Sequence, residues 1–98
     1  MEFIVVLARL YPKDGCQESV IEISQELIEK SLEEDGNLEY QLLKSTTDNS
    51  ITFIEKWENF DYLREHMVSS HFKTFRLETK DFVKESDIQI IGAEELNL

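Results

Sequence analysis

Three side chains in this sequence could take up or release a proton or bind a metal near neutral pH: His66, His71 and the lone Cys16. His66 stands in the run Tyr62, Leu63, His66, Met67, a polar titratable group among apolar neighbours. Its neutral imidazole can accept a proton near pH 7, which suits a general base. A histidine on a helix surface with a solvent or backbone partner would show the same local sequence. Glu55 falls between Phe53 and Trp57 on one face of an alternating segment. A carboxylate between two aromatic rings either rises in pKa or finds a hydrogen-bonded partner. It could orient His66, hold a substrate hydroxyl, or pair with Arg9 or Lys44 across a sheet. Phe53 and Trp57 offer flat walls to an aromatic ligand, although rings at strand spacing equally make plain core. His71 follows His66 by five residues, about 140° around a continuous helix. A metal pair prefers a spacing of three or four plus a carboxylate. No metal is therefore expected, and His71 is placed at a pocket rim or an interface. Cys16 has no cysteine partner and reads as a half-buried small side chain.

Regular elements must position these groups. Residues 2–10 are apolar on both parities, with Phe3, Val5 and Leu7 on one side and Ile4, Val6, Ala8 and Leu10 on the other. Such a strand needs cover on both faces. Pro12, Asp14 and Gly15 mark a turn. From Gln17 to Glu34, Val20, Ile23, Leu27 and Ile21, Ile28, Leu32 recur at helical spacing, and Gly36-Asn37 ends the helix. Residues 38–44 and 51–57 read as strands joined by the polar turn Ser45 to Ser50. If Leu42 pairs with Phe53, Tyr40 lies opposite Glu55 and its hydroxyl faces the same cavity. Asn59 or Asp61 could cap a short helix carrying His66, and Ser69-Ser70 breaks it. Phe72, Phe75 and Phe82 mark the apolar stripe of another helix, with Phe72 also able to line the pocket. Residues 87–91 give a last strand, before the tail Gly92 to Leu98.

The order strand, helix, strand, strand, helix pair, strand is the split βαβ arrangement of an α+β, ferredoxin-like fold, filling 1–98 as a single domain. Helices cover one face of such a sheet. The two-sided apolar pattern of the first strand therefore predicts a second copy on the other face, in a two-fold homodimer packed sheet against sheet. Twenty-one acids against ten bases give a formal net charge of −11. That balance argues against nucleic acid and anionic membranes as partners, since both require clustered Lys and Arg. The acids of Glu26 to Asp35 read as the solvated face and end of a helix. The run Phe3 to Ala8 is too short to span a bilayer and lacks a basic leader, so the cytoplasm is the expected compartment.

Three segments resemble the antibiotic biosynthesis monooxygenase family. Glu34-Asp35-Gly36-Asn37-Leu38-Glu39-Tyr40 is similar to its E-x-G-x-L-x-Y segment, and Phe53-Ile54-Glu55-Lys56-Trp57 to its F-x-x-E-x-W strand. His66-Met67-Val68-Ser69-Ser70-His71-Phe72 resembles its H-x-x-S-x-H-F helix junction. The resemblance implies a dimeric α+β barrel and a cofactor-independent monooxygenase. Its substrate would be a small phenolic, quinol or polyketide-like molecule, with oxygen as second substrate. His66 would be its catalytic base, and Tyr40, Phe53, Glu55, Trp57 and Phe72 would bind substrate, with His66 and Trp57 lining one cavity. Similar domains include an isomerase of a phosphorylated hydroxyketone and members with no known substrate, so isomerase and non-catalytic binder are the competing readings. A phosphorylated substrate would require cations at the pocket mouth, where Lys44, Arg64 and Lys73 are the expected candidates. The haem-degrading branch of the family is excluded, because Arg76 falls where its iron-ligating histidine would be and arginine offers no lone pair. Without a Gly-rich dinucleotide loop or a cysteine cluster, no cofactor is expected.

Overall fold

A computed structural model of the chain describes residues 2–98. Its elements are β1 (Glu2–Pro12), α1 (Gln17–Leu32), β2 (Asn37–Lys44), β3 (Ile51–Trp57), α2 (Phe60–Met67), α3 (Ser70–Thr79) and β4 (Val83–Glu94). The strands form one sheet in the order β2-β3-β1-β4, with every pair antiparallel. This is the α+β, ferredoxin-like arrangement that the element order predicts. Leu42 lies opposite Phe53 and Tyr40 opposite Glu55, the expected hairpin register.

The two parities of β1 have different fates. Val6, Ala8 and Leu10 are buried under the helices, against Val20 and Leu27 of α1, Leu63 of α2 and Phe75 of α3. On β3 the alternation is strict: Ile51, Phe53, Glu55 and Trp57 are buried, while Thr52, Ile54 and Lys56 are only half-buried. The outer face therefore carries Val5, Leu7 and Ile54, with Ile91 of β4 opposite Val5. No helix among the described residues covers that face.

The helix pair is set by its caps. The Asn59 side chain accepts from the Tyr62 N–H at the start of α2, and the Ser69 hydroxyl accepts from the Phe72 N–H at the start of α3. Each satisfies an otherwise orphaned donor of a first turn. The serine thus ends one helix and opens the next, so His66 and His71 sit on different axes.

Two expectations need correction. Phe82 is not part of the α3 stripe. The helix ends at Thr79, and the Phe82 carbonyl accepts from the Lys13 N–H in the turn that follows. The last strand is Val83–Glu94 rather than 87–91, because β1 offers a long free edge and the ladder runs from Glu2 opposite Glu94 to Pro12 opposite Val83. No helix among the described residues is long and apolar enough to cross a membrane.

Candidate active site

His66 lies on the inner face of α2 and is 1% exposed. Leu63, one turn earlier on the same face, is buried beside the sheet and fixes that orientation. The imidazole sits against the Trp57 indole, with centroids 4.8 Å apart, and is flanked by Phe72 at 5.2 Å and Tyr40 at 5.4 Å. Its Nδ1 is 2.5 Å from Glu34 Oε2 and its Nε2 is 3.3 Å from the Tyr40 hydroxyl. An ionised carboxylate can only accept, so Nδ1–H donates to Glu34. In the neutral ring Nε2 is then the acceptor, and Tyr40 O–H donates to it. Glu34 holds the tautomer that leaves the basic nitrogen aimed at Tyr40, the role a carboxylate plays behind histidine in nucleophile–base relays.

A second carboxylate completes the group. Glu55 Oε1 accepts from Trp57 Nε1 at 3.0 Å and lies 3.9 Å from His66 Nε2. Burial pushes its pKa up to about 7, against the indole hydrogen bond, which pulls it down. Burial also raises the Tyr40 hydroxyl, helped by the charge of Glu55, and lowers His66, opposed by the bond to Glu34. Near neutral pH the site therefore holds a neutral imidazole, an intact phenol and a carboxyl poised between its two states. Neither Arg9 nor Lys44 pairs with Glu55. Lys44 reaches Glu18, and Arg9, from the parity opposite Val6 and Ala8, points away from the helices.

An open cavity of about 400 Å³ lies between the sheet, α3 and β4. Tyr40, Phe53, Glu55, Phe72 and Phe75 form its walls, so four of the expected binding residues face one space. The expectation that His66 and Trp57 line it as well is not met. Both lie behind the wall, His66 screened by Tyr40 and Glu55, and Trp57 0% exposed in the core. The cations at the mouth also differ from those expected. They are Arg76, Lys80 and Lys84, because the end of α3 and the start of β4 form the rim. Lys44, Arg64 and Lys73 do not line the cavity. A larger depression of about 570 Å³ between the start of α2 and the paired ends of β1 and β4 contains none of this constellation.

Glu34 is the functional residue that residue-by-residue reading missed. It lies just beyond α1, in the acid run that reads as solvated surface, and its one local signal is membership of the E-x-G-x-L-x-Y segment. The turn that carries it is clamped. Gly36 adopts φ +79°, its carbonyl accepts from the Glu58 N–H at 2.8 Å, and a Cβ there would overlap the Tyr62 ring. Glu34 Oε2 also accepts from His71 Nε2 at 3.1 Å, so His71 stands beside the site and not at the rim of the cavity, which it does not line. Glu34 Oε2, His66 Nδ1 and His71 Nε2 lie within 4.8 Å of one another, a donor set zinc could use. Here the carboxylate oxygen is hydrogen-bonded to both rings.

The antibiotic biosynthesis monooxygenase family matches the chain over residues 3–77. The Bacillus subtilis (strain 168) protein YcnE, provisionally named a monooxygenase, is 27% identical over 81 residues, covering 82% of this chain and 85% of its own. A Methanosarcina mazei Go1 conserved protein superposes with TM-score 0.88 at 27% identity, covering 93% of this chain and 92% of that one. A Caulobacter crescentus CB15 protein, provisionally named an antibiotic biosynthesis monooxygenase, superposes with TM-score 0.90 at 24% identity, covering 95% and 91%. At that identity the last likeness speaks for the fold.

Proposed function

From the premise that this chain belongs to the antibiotic biosynthesis monooxygenase family, we propose that it oxidises a small phenolic, quinol or polyketide-like substrate with oxygen and no resident cofactor. The observation that carries the reading is the hydrogen-bonded line Glu34–His66–Tyr40, which runs from the end of α1 to the wall of an aromatic cavity. A flat ring fits among Phe53, Phe72 and Phe75, with its hydroxyl toward Tyr40 and Glu55. Tyr40 is too weak an acid to ionise by itself. The hydroxyl proton of the substrate therefore passes to the Tyr40 oxygen as the Tyr40 proton moves to His66 Nε2, and Glu34 balances the imidazolium that forms. Glu55 is the second acceptor, with a pKa matched to neutral pH. His66 thus acts through Tyr40 rather than by touching substrate.

The resulting anion is electron-rich enough to pass one electron to oxygen. Superoxide and the substrate radical combine at a ring carbon. The peroxide O–O bond then breaks as that carbon loses its proton. One oxygen atom stays as a carbonyl and the other leaves as water, and all the electrons come from substrate. The test is oxygen uptake on a panel of quinols and naphthols. Tyr40→Phe and His66→Ala should each slow turnover by roughly 10²–10⁴-fold. Turnover indifferent to both changes would remove the proton line from the mechanism.

The same reading includes a homodimer built on the outer sheet face, where no helix among the described residues covers Val5, Leu7, Ile54 and Ile91. Burying about 800 Å² per subunit is typical of a stable pair. A monomer in sedimentation at micromolar concentration would end this part of the proposal.

A further inference from the structure

The charge around the cavity mouth is opposite in sign to that of the chain. Ten bases are spread through a sequence with twenty-one acids, and three of the ten, Arg76, Lys80 and Lys84, border one opening. Of the other seven, four are neutralised locally, and Arg9, Lys13 and Lys73, which have no such partner among the described residues, do not border the opening. Lys30 pairs with Glu26, Lys44 with Glu18, Lys56 with Glu39 and Arg64 with Asp61. Among the described residues, no carboxylate lies within 4.0 Å of the charged groups of Arg76, Lys80 or Lys84. In so acidic a chain, three cations without a partner around one opening leave a local positive potential there.

The placement is specific to the cavity. Arg76 comes from the last turn of α3, Lys80 caps that helix, and Lys84 stands at the start of β4 beyond the turn. They therefore approach the opening from two elements. The apolar walls lie deeper, at Phe53, Phe72 and Phe75, and the proton-handling pair Tyr40 and Glu55 lies at the inner end. Glu85 also borders the opening, as its one exposed acid. Glu55, held near neutrality by burial, adds only part of a negative charge inside.

We propose that the cavity selects an amphipathic substrate: an aromatic or enolic ring bearing one acidic substituent, a carboxylate or a phosphate, held at the mouth by Arg76, Lys80 and Lys84. This rests on the cavity's being the substrate site, and it narrows the proposed phenolic, quinol or polyketide-like class to members that carry an anionic group. The cations fix which end of the molecule enters first. The anion stays at the rim, where water still reaches it and no buried charge must be compensated, and the hydroxyl is delivered to Tyr40.

Equilibrium binding, independent of turnover, tests this. Trp57, the single tryptophan, stands behind the cavity wall, and its fluorescence reports occupancy without a label. Naphthol, hydroxynaphthoate and naphthyl phosphate serve as matched probes, and the last two separate a carboxylate preference from a phosphate preference. At low ionic strength one or both anionic probes should bind at least about tenfold more tightly than naphthol, with the advantage shrinking as salt is added. The triple change Arg76→Gln, Lys80→Gln, Lys84→Gln should erase that ratio, and each single change should reduce it in part. The ratio is read within one protein, so loss of folded material cannot imitate the result. Single variants serve if the triple does not fold.

Equal affinity for all three probes, or a preference unmoved by salt and by the substitutions, would overturn the inference. Oxygen uptake on neutral naphthols would then still support the oxygenase reading. Conversely, charge-dependent binding without oxygen uptake on any probe would support the anion subsite and count against the oxygenase.

Discussion

Strands β3 and β4 flank the same central strand, yet their side chains have opposite fates. Every second residue of β3 is buried, including a charged one, Glu55. On β4, Ile88 and Ile90 pair with Ala8 and Val6, so they lie on the helix side of the sheet, yet they remain 58% and 47% exposed. Apolarity does not separate them, since β4 carries three isoleucines and β3 carries a glutamate. Position does: the three helices cover β3, β1 and Tyr40 of β2 but leave β4, the edge strand beside β1, unroofed. A carboxylate under a roof becomes a titrating group, and an isoleucine beyond its edge becomes surface available to the rim of a cavity or to another chain.

The largest expected effect falls on β3. Trp57→Ala should cost about 3–5 kcal/mol in denaturant unfolding, since a fully buried ring is lost against a close-packed helix. A loss under about 1 kcal/mol would mean that the roof is loose and the comparison too sharp. Next comes the outer face, where Val5→Asp should shift the proposed dimer toward monomer by more than tenfold in dissociation constant, about 1.4 kcal/mol or more, by sedimentation. An unchanged dimer would place the interface elsewhere.

Smaller again is the pH effect of Glu55. Its pKa is raised on folding, so its contribution to stability is full at low pH and is lost as pH rises through about 7. Lowering the pH from about 8 to about 6.5 should therefore stabilise the fold by roughly 1 kcal/mol, and Glu55→Gln should flatten that rise. His66, whose pKa is lowered, acts in the opposite sense only below its usual value of about 6.5, as the unfolded chain takes up protons there. The smallest effect belongs to β4. Ile90→Ala should change stability by no more than about 0.5 kcal/mol, as expected for exposed positions. A cost matching that of Trp57 would show that β4 is roofed in solution.

What the sequence reveals follows the same division. Hairpin register, the capped helix pair and the inward set Tyr40, Phe53 and Glu55 are legible because strand parity and capping chemistry are local. Glu34 is not, since one acid among many at a helix end acquires its role only when α2 packs beside it. Nor is the ring of Arg76, Lys80 and Lys84, which comes from two elements and a turn whose direction no periodicity reports. The full length of β4 is set by the free edge of β1 rather than by its own polar residues 84–87. The sequence places His66 and Trp57 at one cavity, but the depth at which the two rings sit depends on Tyr40 and Glu55 closing over them.

The pinned glycine after α1 has a mechanical consequence. Gly36 is held between the Tyr62 ring and the Glu58 amide, so the turn carrying Glu34, the end of β3 and the first turn of α2 move as one block. The carboxylate and the imidazole ride on that block together. Their separation is insulated from breathing of the sheet, and the proton line needs no rearrangement to form. The mouth of the cavity lies at its other end, where α3 gives way to β4. The clamped turn that carries the proton line and the junction that carries the rim cations are thus separate parts of the fold.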